Sequence, residues 1–396
     1  MNSNTSGSLL RGMLLAALVA CGPSPDSGPL TAPVAPTLSR TDDEAPSAYQ
    51  IELLTMPVGI KTSFAYAVNE RGDIVGAFRG PPASPSTPAV LRAFIDRGNG
   101  GEDLGLLPGT VRALATGINN QREVVGWTVS ERDANGVSAL QGFIWTPQRG
   151  MEALPPLPHG QLYMRPTGIN KRGDIVGCMY LDDYFSPQHM VVWRGDHHVP
   201  EDLGTGPGDG GACGSAINAK GIIAGGIGSD TPVQHAVIFD DRFSLLGELP
   251  GETQSVAVDI NETGEVVGVN YNRFSVDATV AFIWSNRLGM RAIPLLAGIT
   301  STGSAGINNS SVVVGGGLAT RSSTCQHPWV WSSRSATAPT LLPTLTGFHP
   351  EADCPFGLKT QTAAINEGGM IVGQSASADG YTHAVRWVRV ASETEK

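Results

Sequence analysis

Histidine is the side chain here best suited to proton transfer or metal ligation, and the sequence holds eight copies. Four of them, His189, His235, His327 and His383, each stand just before a short apolar run that recurs along the chain. A general base needs one constellation, whereas this histidine returns at one position of a repeat. Its spacing therefore points to a structural place at a strand edge. His197 and His198 beside Asp196 could ligate a metal, but their surroundings read as a surface turn. His-Glu-x-x-His, Gly-x-Ser-x-Gly and Ser-x-x-Lys are missing, so the familiar hydrolase signatures are not there. Gly204 to Gly214 is glycine-rich but leads into a strand, not the helix a phosphate cradle uses. No catalytic residue, metal ligand or cofactor is assigned, and binding is favoured over catalysis.

Binding chemistry is better represented. Lys61, Arg112, Arg165 and Lys359 each lie five to eight residues before a recurring asparagine. Trp127, Tyr180, Tyr184 and Phe185 are placed in loops near them. Cations beside aromatic rings suit an acidic glycan or another carboxylate-bearing ligand. The plainer alternative is scattered solvated charge, with the aromatics packed on their own loops.

The recurring asparagine reveals the scaffold. Asn69, Asn119, Asn170, Asn218, Asn261, Asn308 and Asn366 head seven versions of the stretch Thr167 to Gly177, TGINKRGDIVG. A period of about 40 to 50 residues signals a repeat architecture. Asparagine can open a tight turn by bonding its own backbone, and Gly72, Gly173, Gly221, Gly264 and Gly369 can close it with φ > 0. Arg122 and Ser311 replace that glycine, which predicts turns that are strained or differently shaped. The pairs Ile74-Val75, Val124-Val125, Ile175-Val176, Ile222-Ile223, Val266-Val267, Val313-Val314 and Ile371-Val372 follow. They do not alternate with polar residues, so each belongs to a strand covered on both faces. A third strand ends in Trp145, Trp193, Phe239, Trp284, Trp331 or Trp387, with Asp96 the exception. A fourth is placed at Leu104 to Pro108, Leu154 to Pro158, Leu246 to Pro250, Ile293 to Leu296 and Leu342 to Leu345. The expected fold is all-β: a seven-bladed β-propeller with four antiparallel strands per blade.

Residues 1–20 read as a lipoprotein signal peptide. Gly12 to Ala20 is too short an apolar run to span a bilayer, and Leu18-Val19-Ala20-Cys21 resembles the bacterial lipobox. Acylated Cys21 would then be the membrane anchor. Residues 21–47 form a Pro/Ser/Gly-rich tether, 48–390 the propeller and 391–396 a tail. The last repeat lacks its fourth strand, while Tyr49 to Gly59 resembles an unattached one. The N-terminal strand, Ile51 to Leu54, is therefore expected to complete the last blade and close the ring.

Besides Cys21, the even set Cys178, Cys213, Cys325 and Cys354 suits disulfides in an oxidising compartment. Three pairings are open. Cys178–Cys213 and Cys325–Cys354 would each join two loops flanking one blade, all on the face carrying the variable loops. A four-cysteine metal site lacks the usual C-x-x-C spacing.

His235-Ala236, His383-Ala384, Ala281-Phe282 and Ala93-Phe94 resemble the His-Ala-Phe (HAF) repeat of bacterial extracellular proteins. The matching blocks run from Phe64 to Val390. The resemblance implies secretion and a repeat-built fold, and brings no catalytic residues. Gly22 after the lipobox implies, by resemblance to bacterial lipoproteins, the outer membrane, on its periplasmic or cell-surface side. A net charge of −10 disfavours nucleic acid as partner. The expectation is a monomeric binding scaffold with an unknown protein or glycan ligand. A glycan hydrolase or lyase and a purely structural envelope protein are the alternatives.

Overall fold

A computed structural model describes residues 49–80, 90–132, 138–158, 163–180, 187–195, 197–208, 210–228, 234–272, 279–318, 326–335, 337–345 and 360–390. The expected signal peptide and tether, Cys21, Cys325, Cys354, Tyr184 and Lys359 lie outside them. The first described strand is β1 (Tyr49–Leu53). Blade 1 is β2 (Ser63–Val68), β3 (Ile74–Arg79), β4 (Leu91–Asp96) and β5 (Gly101–Asp103). Blade 2 holds β6 (Thr110–Ile118), β7 (Val124–Ser130), β8 (Leu140–Thr146) and β9 (Gly150–Ala153). Blade 3 holds β10 (Tyr163–Ile169), β11 (Ile175–Tyr180), β12 (Gln188–Arg194) and β13 (Val199–Gly204). Blade 4 holds β14 (Ala212–Ile217), β15 (Ile223–Ile227), β16 (His235–Asp240) and β17 (Arg242–Leu245). Blade 5 holds β18 (Gln254–Ile260), β19 (Val266–Tyr271), β20 (Thr279–Ser285) and β21 (Gly289–Ala292). Blade 6 holds β22 (Ser301–Ile307), β23 (Val312–Leu318), β24 (Gln326–Ser332) and β25 (Thr340–Leu341). Blade 7 has β26 (Gln361–Ile365), β27 (Ile371–Ala376) and β28 (Thr382–Arg389), and β1 is its fourth strand. The chain is thus a seven-bladed, four-stranded antiparallel β-propeller. A single parallel bridge, Tyr163 to Leu140, also links blades 2 and 3.

The ring closes where expected. Tyr49 pairs with Arg389 and Leu53 with Val385, and Leu54 N–H adds a bond to Ala384 O. Arg386 and Glu52 form an ion pair across the same seam.

Each innermost strand carries a β-bulge three residues before its asparagine, with Tyr66, Thr116, Thr167, Ser215, Val258, Ala305 and Ala363 left out of register. A bulge pushes one carbonyl toward the neighbouring strand. That explains the glycine after each apolar pair. A Cβ on Gly76 would sit 1.9 Å from Phe64 O, and one on Gly373 2.1 Å from Gln361 O.

The turns repeat as well. Each asparagine N–H bonds the carbonyl four residues on, and its own carbonyl accepts the N–H three residues on. Arg122 and Ser311 keep the same left-handed turn, at φ 63° and 60°, so the replacement brings strain without a change of shape. Both side chains reach a carboxylate of the preceding blade. Arg122 forks onto Asp73 and Ser311 donates to Glu265.

Three placements differ from the sequence reading. The fourth strands precede the Leu-x-x-Leu-Pro segments, whose leucines instead plug the core between blades (Leu104 and Leu107 5 % exposed, Leu154 1 %). In blade 4 the doubly covered pair is Ile223-Ala224, one residue later than expected, because Ile222 occupies the place of Asp73. Cys178 and Cys213 are bonded, with Cα atoms 4.8 Å apart, but they sit inside β11 and β14. The bridge therefore ties blade 3 to blade 4, not two loops of one blade.

The bridge closes a 35-residue separation, which stabilises by about 4 kcal/mol on chain-entropy grounds. Cys213→Ser is expected to lower the unfolding free energy by about 3 to 4 kcal/mol in urea titrations, and the loss should vanish when both proteins are compared in reductant.

Candidate functional site

The seven asparagines meet around the central channel. The Asn69 amide donates to Asn119 O, Asn119 to Asn170 O, Asn170 to Asn218 O and Asn218 to Asn261 O. Asn261 donates to Asn308 O, Asn308 to Asn366 O, and Asn366 back to Asn69 O. The seven distances run from 2.9 to 3.3 Å, and every one of these residues is buried. Six of the side-chain oxygens also accept two N–H groups of their own turn, as Asn218 does from Lys220 and Ile222.

Outside this circle the next residue of each repeat forms a second rim. Its N–H often bonds the side chain of the neighbouring blade: Glu70 to Asn120, Ala219 to Glu262, Glu262 to Asn309, Asn309 to Glu367 and Glu367 to Glu70. Lys171 pairs with Glu262 at 3.2 Å. These residues and the bulge positions line a channel cavity of about 490 Å³. Burial raises the Glu367 carboxyl. The Asn309 N–H opposes that rise, the charges of Glu70 and Glu262 add to it, and Lys171 works against it. Asp259, at the bulge of β18, accepts N–H bonds from Ile260 and from Ile307 of the next blade. Burial pushes its carboxyl up to about 6, against both bonds. Across the ring, the Tyr66 hydroxyl is enclosed and has no hydrogen-bond partner among the described residues, and burial raises its pKa.

Carboxylates with raised pKa values thus converge in one cavity, which a general acid would require. Each is also committed to a backbone N–H of an adjacent blade, so their visible work is to hold blades together. Sequence reasoning passed over this rim, although an acid directly after the asparagine recurs at Glu70, Glu262 and Glu367.

The histidines behave as strand-edge residues. His189 bonds Asp202 at 2.9 Å, His235 bonds Glu248 at 2.6 Å and His383 bonds Asp379 at 2.8 Å, on separate blades. His327 is buried. His198, with φ 47°, is a buried turn residue. No group of three potential metal ligands occurs among the described residues.

Of the proposed ligand residues, Lys61, Arg112 and Arg165 fall on consecutive blades at the entry to the innermost strand. Lys61 lies over the Tyr381 ring, 5.1 Å from its centroid, which spans the seam between blades 1 and 7. Arg112 is exposed on β6. Arg165 is half-buried on β10, and burial lowers its guanidinium pKa, with Tyr180 opposing. It has no carboxylate partner among the described residues. Tyr180 ends β11, accepts a bond from Gln188 and packs edge-on against Tyr163. Trp127 lies within β7, buried, and not in a loop.

No family model matches the chain, and no curated protein sequence matches it. Among solved structures it is similar to the β-propeller domain of the Trilobed protease from Pyrococcus furiosus, described as having an open velcro topology. The TM-score is 0.54 at 9% identity, covering 83% of this chain and 94% of that one. It is also similar to the extracellular domain of a protein described as a hybrid two component system from B. thetaiotaomicron. There the TM-score is 0.52 at 8% identity, covering 87% of this chain and 40% of that one. Likeness at such identity shows the fold: the class is the β-propeller.

Two outcomes follow. Asn218→Asp keeps the side-chain oxygen that accepts both turn N–H groups but loses the donor to Asn261 O, and should cost about 2 to 3 kcal/mol in urea unfolding. For Asp259 the folded pKa lies above the ordinary 3.8, so its contribution favours the fold at low pH and is lost as pH rises through about 6. In Asp259→Asn the decline of stability between pH 4 and pH 6 should flatten relative to the parent, and an identical pH profile would refute the assignment.

Proposed function

We propose that this chain is an exported binding propeller, anchored in the outer membrane through lipid on Cys21, that holds a carboxylate-bearing ligand such as an acidic glycan on its variable face. Arg165 carries the reading. A half-buried guanidinium with no acidic partner among the described residues is costly, and an incoming carboxylate would offset that cost with paired, charge-assisted bonds. Exposed Arg112 on the adjacent blade and the Tyr163–Tyr180 pair supply a second cation and an aromatic wall. Lys61, Lys359, Trp127 and Tyr184 complete the proposed set. Export is supported by the Cys178–Cys213 bridge, which suits an oxidising compartment, and by the His-Ala-Phe resemblance. A glycan hydrolase or lyase is less well supported, because the channel carboxylates are tied to backbone N–H groups. A purely structural role leaves Arg165 unexplained.

Arg112→Ala/Arg165→Ala should weaken binding to immobilised acidic glycans at least about tenfold while leaving the unfolding midpoint within a few degrees. Unchanged affinity would sink the assignment. Cys21→Ser should move the protein from the detergent-soluble membrane fraction to the soluble fraction and abolish labelling by radioactive palmitate.

A further inference from the structure

The hairpins joining third and fourth strands differ around the ring in one respect. In blades 1, 2 and 3 a fourth-strand glutamate pairs in register with an apolar residue of the third: Glu102 with Ile95, Glu152 with Ile144, Glu201 with Val192. In blade 7 the corresponding Glu52 faces Arg386. Each neutralises an arginine of the same strand pair or its turn, namely Arg97, Arg149, Arg194 and Arg386. Blades 4, 5 and 6 break the rule together. The register position holds Ser244 opposite Ile238, Arg291 opposite Ile283 and Thr340 opposite Val330. Their hairpins still carry cations: Arg242, Arg287, Arg291 and Arg334, all exposed and without a carboxylate partner among the described residues.

These four arginines line one groove of about 1080 Å³, on the face of the asparagine turns, running from blade 4 across blade 5 to blade 6. Two acids share it. They are Asp240 and Glu265, whose Oε2 accepts from Asn261, Thr263 and Ser311, so the four arginines still outnumber the acids two to one. Trp284 adds a different element. Its counterparts Trp145, Trp193, Trp331 and Trp387 are all buried, and three of them donate Nε1 to backbone carbonyls, whereas Trp284 is half-buried in the groove wall and, like Trp145, its Nε1 has no partner among the described residues.

We propose that this groove is a binding site for an acidic oligosaccharide. Guanidinium forks from three successive hairpins take sugar carboxylates in turn, and one pyranose ring rests against the indole of Trp284. The volume exceeds what a lone inorganic anion fills and matches an extended ligand. The chain is acidic overall, so a local excess of unpaired cations is not a general surface property. The site is independent of Arg112 and Arg165, which lie on the opposite face.

The test is calorimetric titration of the full chain with a galacturonic acid hexasaccharide and with its methyl ester, which has the same backbone without the charge. The acid should bind and the ester should not. Arg242→Ala/Arg291→Ala and Trp284→Ala should each weaken binding at least about tenfold. Ser244→Glu/Thr340→Glu, which copies the pairing of blades 1 to 3, should do the same with an unchanged unfolding midpoint. Arg149→Ala, a paired hairpin arginine, should have no effect. Equal binding of acid and ester, insensitivity to the groove variants, no heat with the acid, or displacement of the acid by an equal concentration of inorganic phosphate would each overturn the proposal. Loss of binding in Arg112→Ala/Arg165→Ala alone would place the ligand on the other face.

Discussion

One hydrogen bond, repeated seven times, governs this molecule: an asparagine amide donating to the main-chain carbonyl of the next asparagine. The circle has no end, because Asn366 returns to Asn69. Each carbonyl in it already accepts a turn N–H, and most of the side-chain oxygens clamp two more. A buried amide in water-poor surroundings is expensive unless all its polar atoms are matched. Here each blade is matched only if its neighbour is correctly placed, so local turn geometry and blade-to-blade spacing are set by the same atoms.

The bulge serves that constraint. An extra residue before the asparagine bends the innermost strand, and glycine on the second strand makes room for the carbonyl opposite it. The released side chains line the channel. Where they are threonine they bond the adjacent blade, as Thr116 does to Pro166 O and Thr167 to Gly214 O. Where the next position is Asp259 a carboxylate does the same at the cost of a raised pKa. The channel chemistry is thus a by-product of holding the ring, and its charges are committed to structure first.

Much of this was legible because it rests on local rules. Asn-x-x-Gly, the doubly covered pair and the tryptophan after it each have one physical reading, and the matching deficits at the two ends foretold the seam between β1 and β28. The fourth strand was misplaced because buried leucines imitate a strand, while the true outer strand, such as Gly101–Asp103, is short and polar. Ile222 imitated a core residue because an apolar side chain had replaced an acid at a turn. Cys178 and Cys213 read as loop residues because nothing in the sequence marks how far β11 and β14 run beyond their apolar cores. The arginine groove was invisible for another reason. It consists of a partner missing from three repeats, and a missing partner is seen only once every hairpin is in register.

The seam has a mechanical corollary. Tyr49 faces Arg389, so both chain ends leave the sheet at one end of a strand pair. Tension between them would not shear five residue pairs at once. It would concentrate on a single outermost pair and peel β1 away stepwise, so the circle would open under pulling force well before any blade lost its own internal strands.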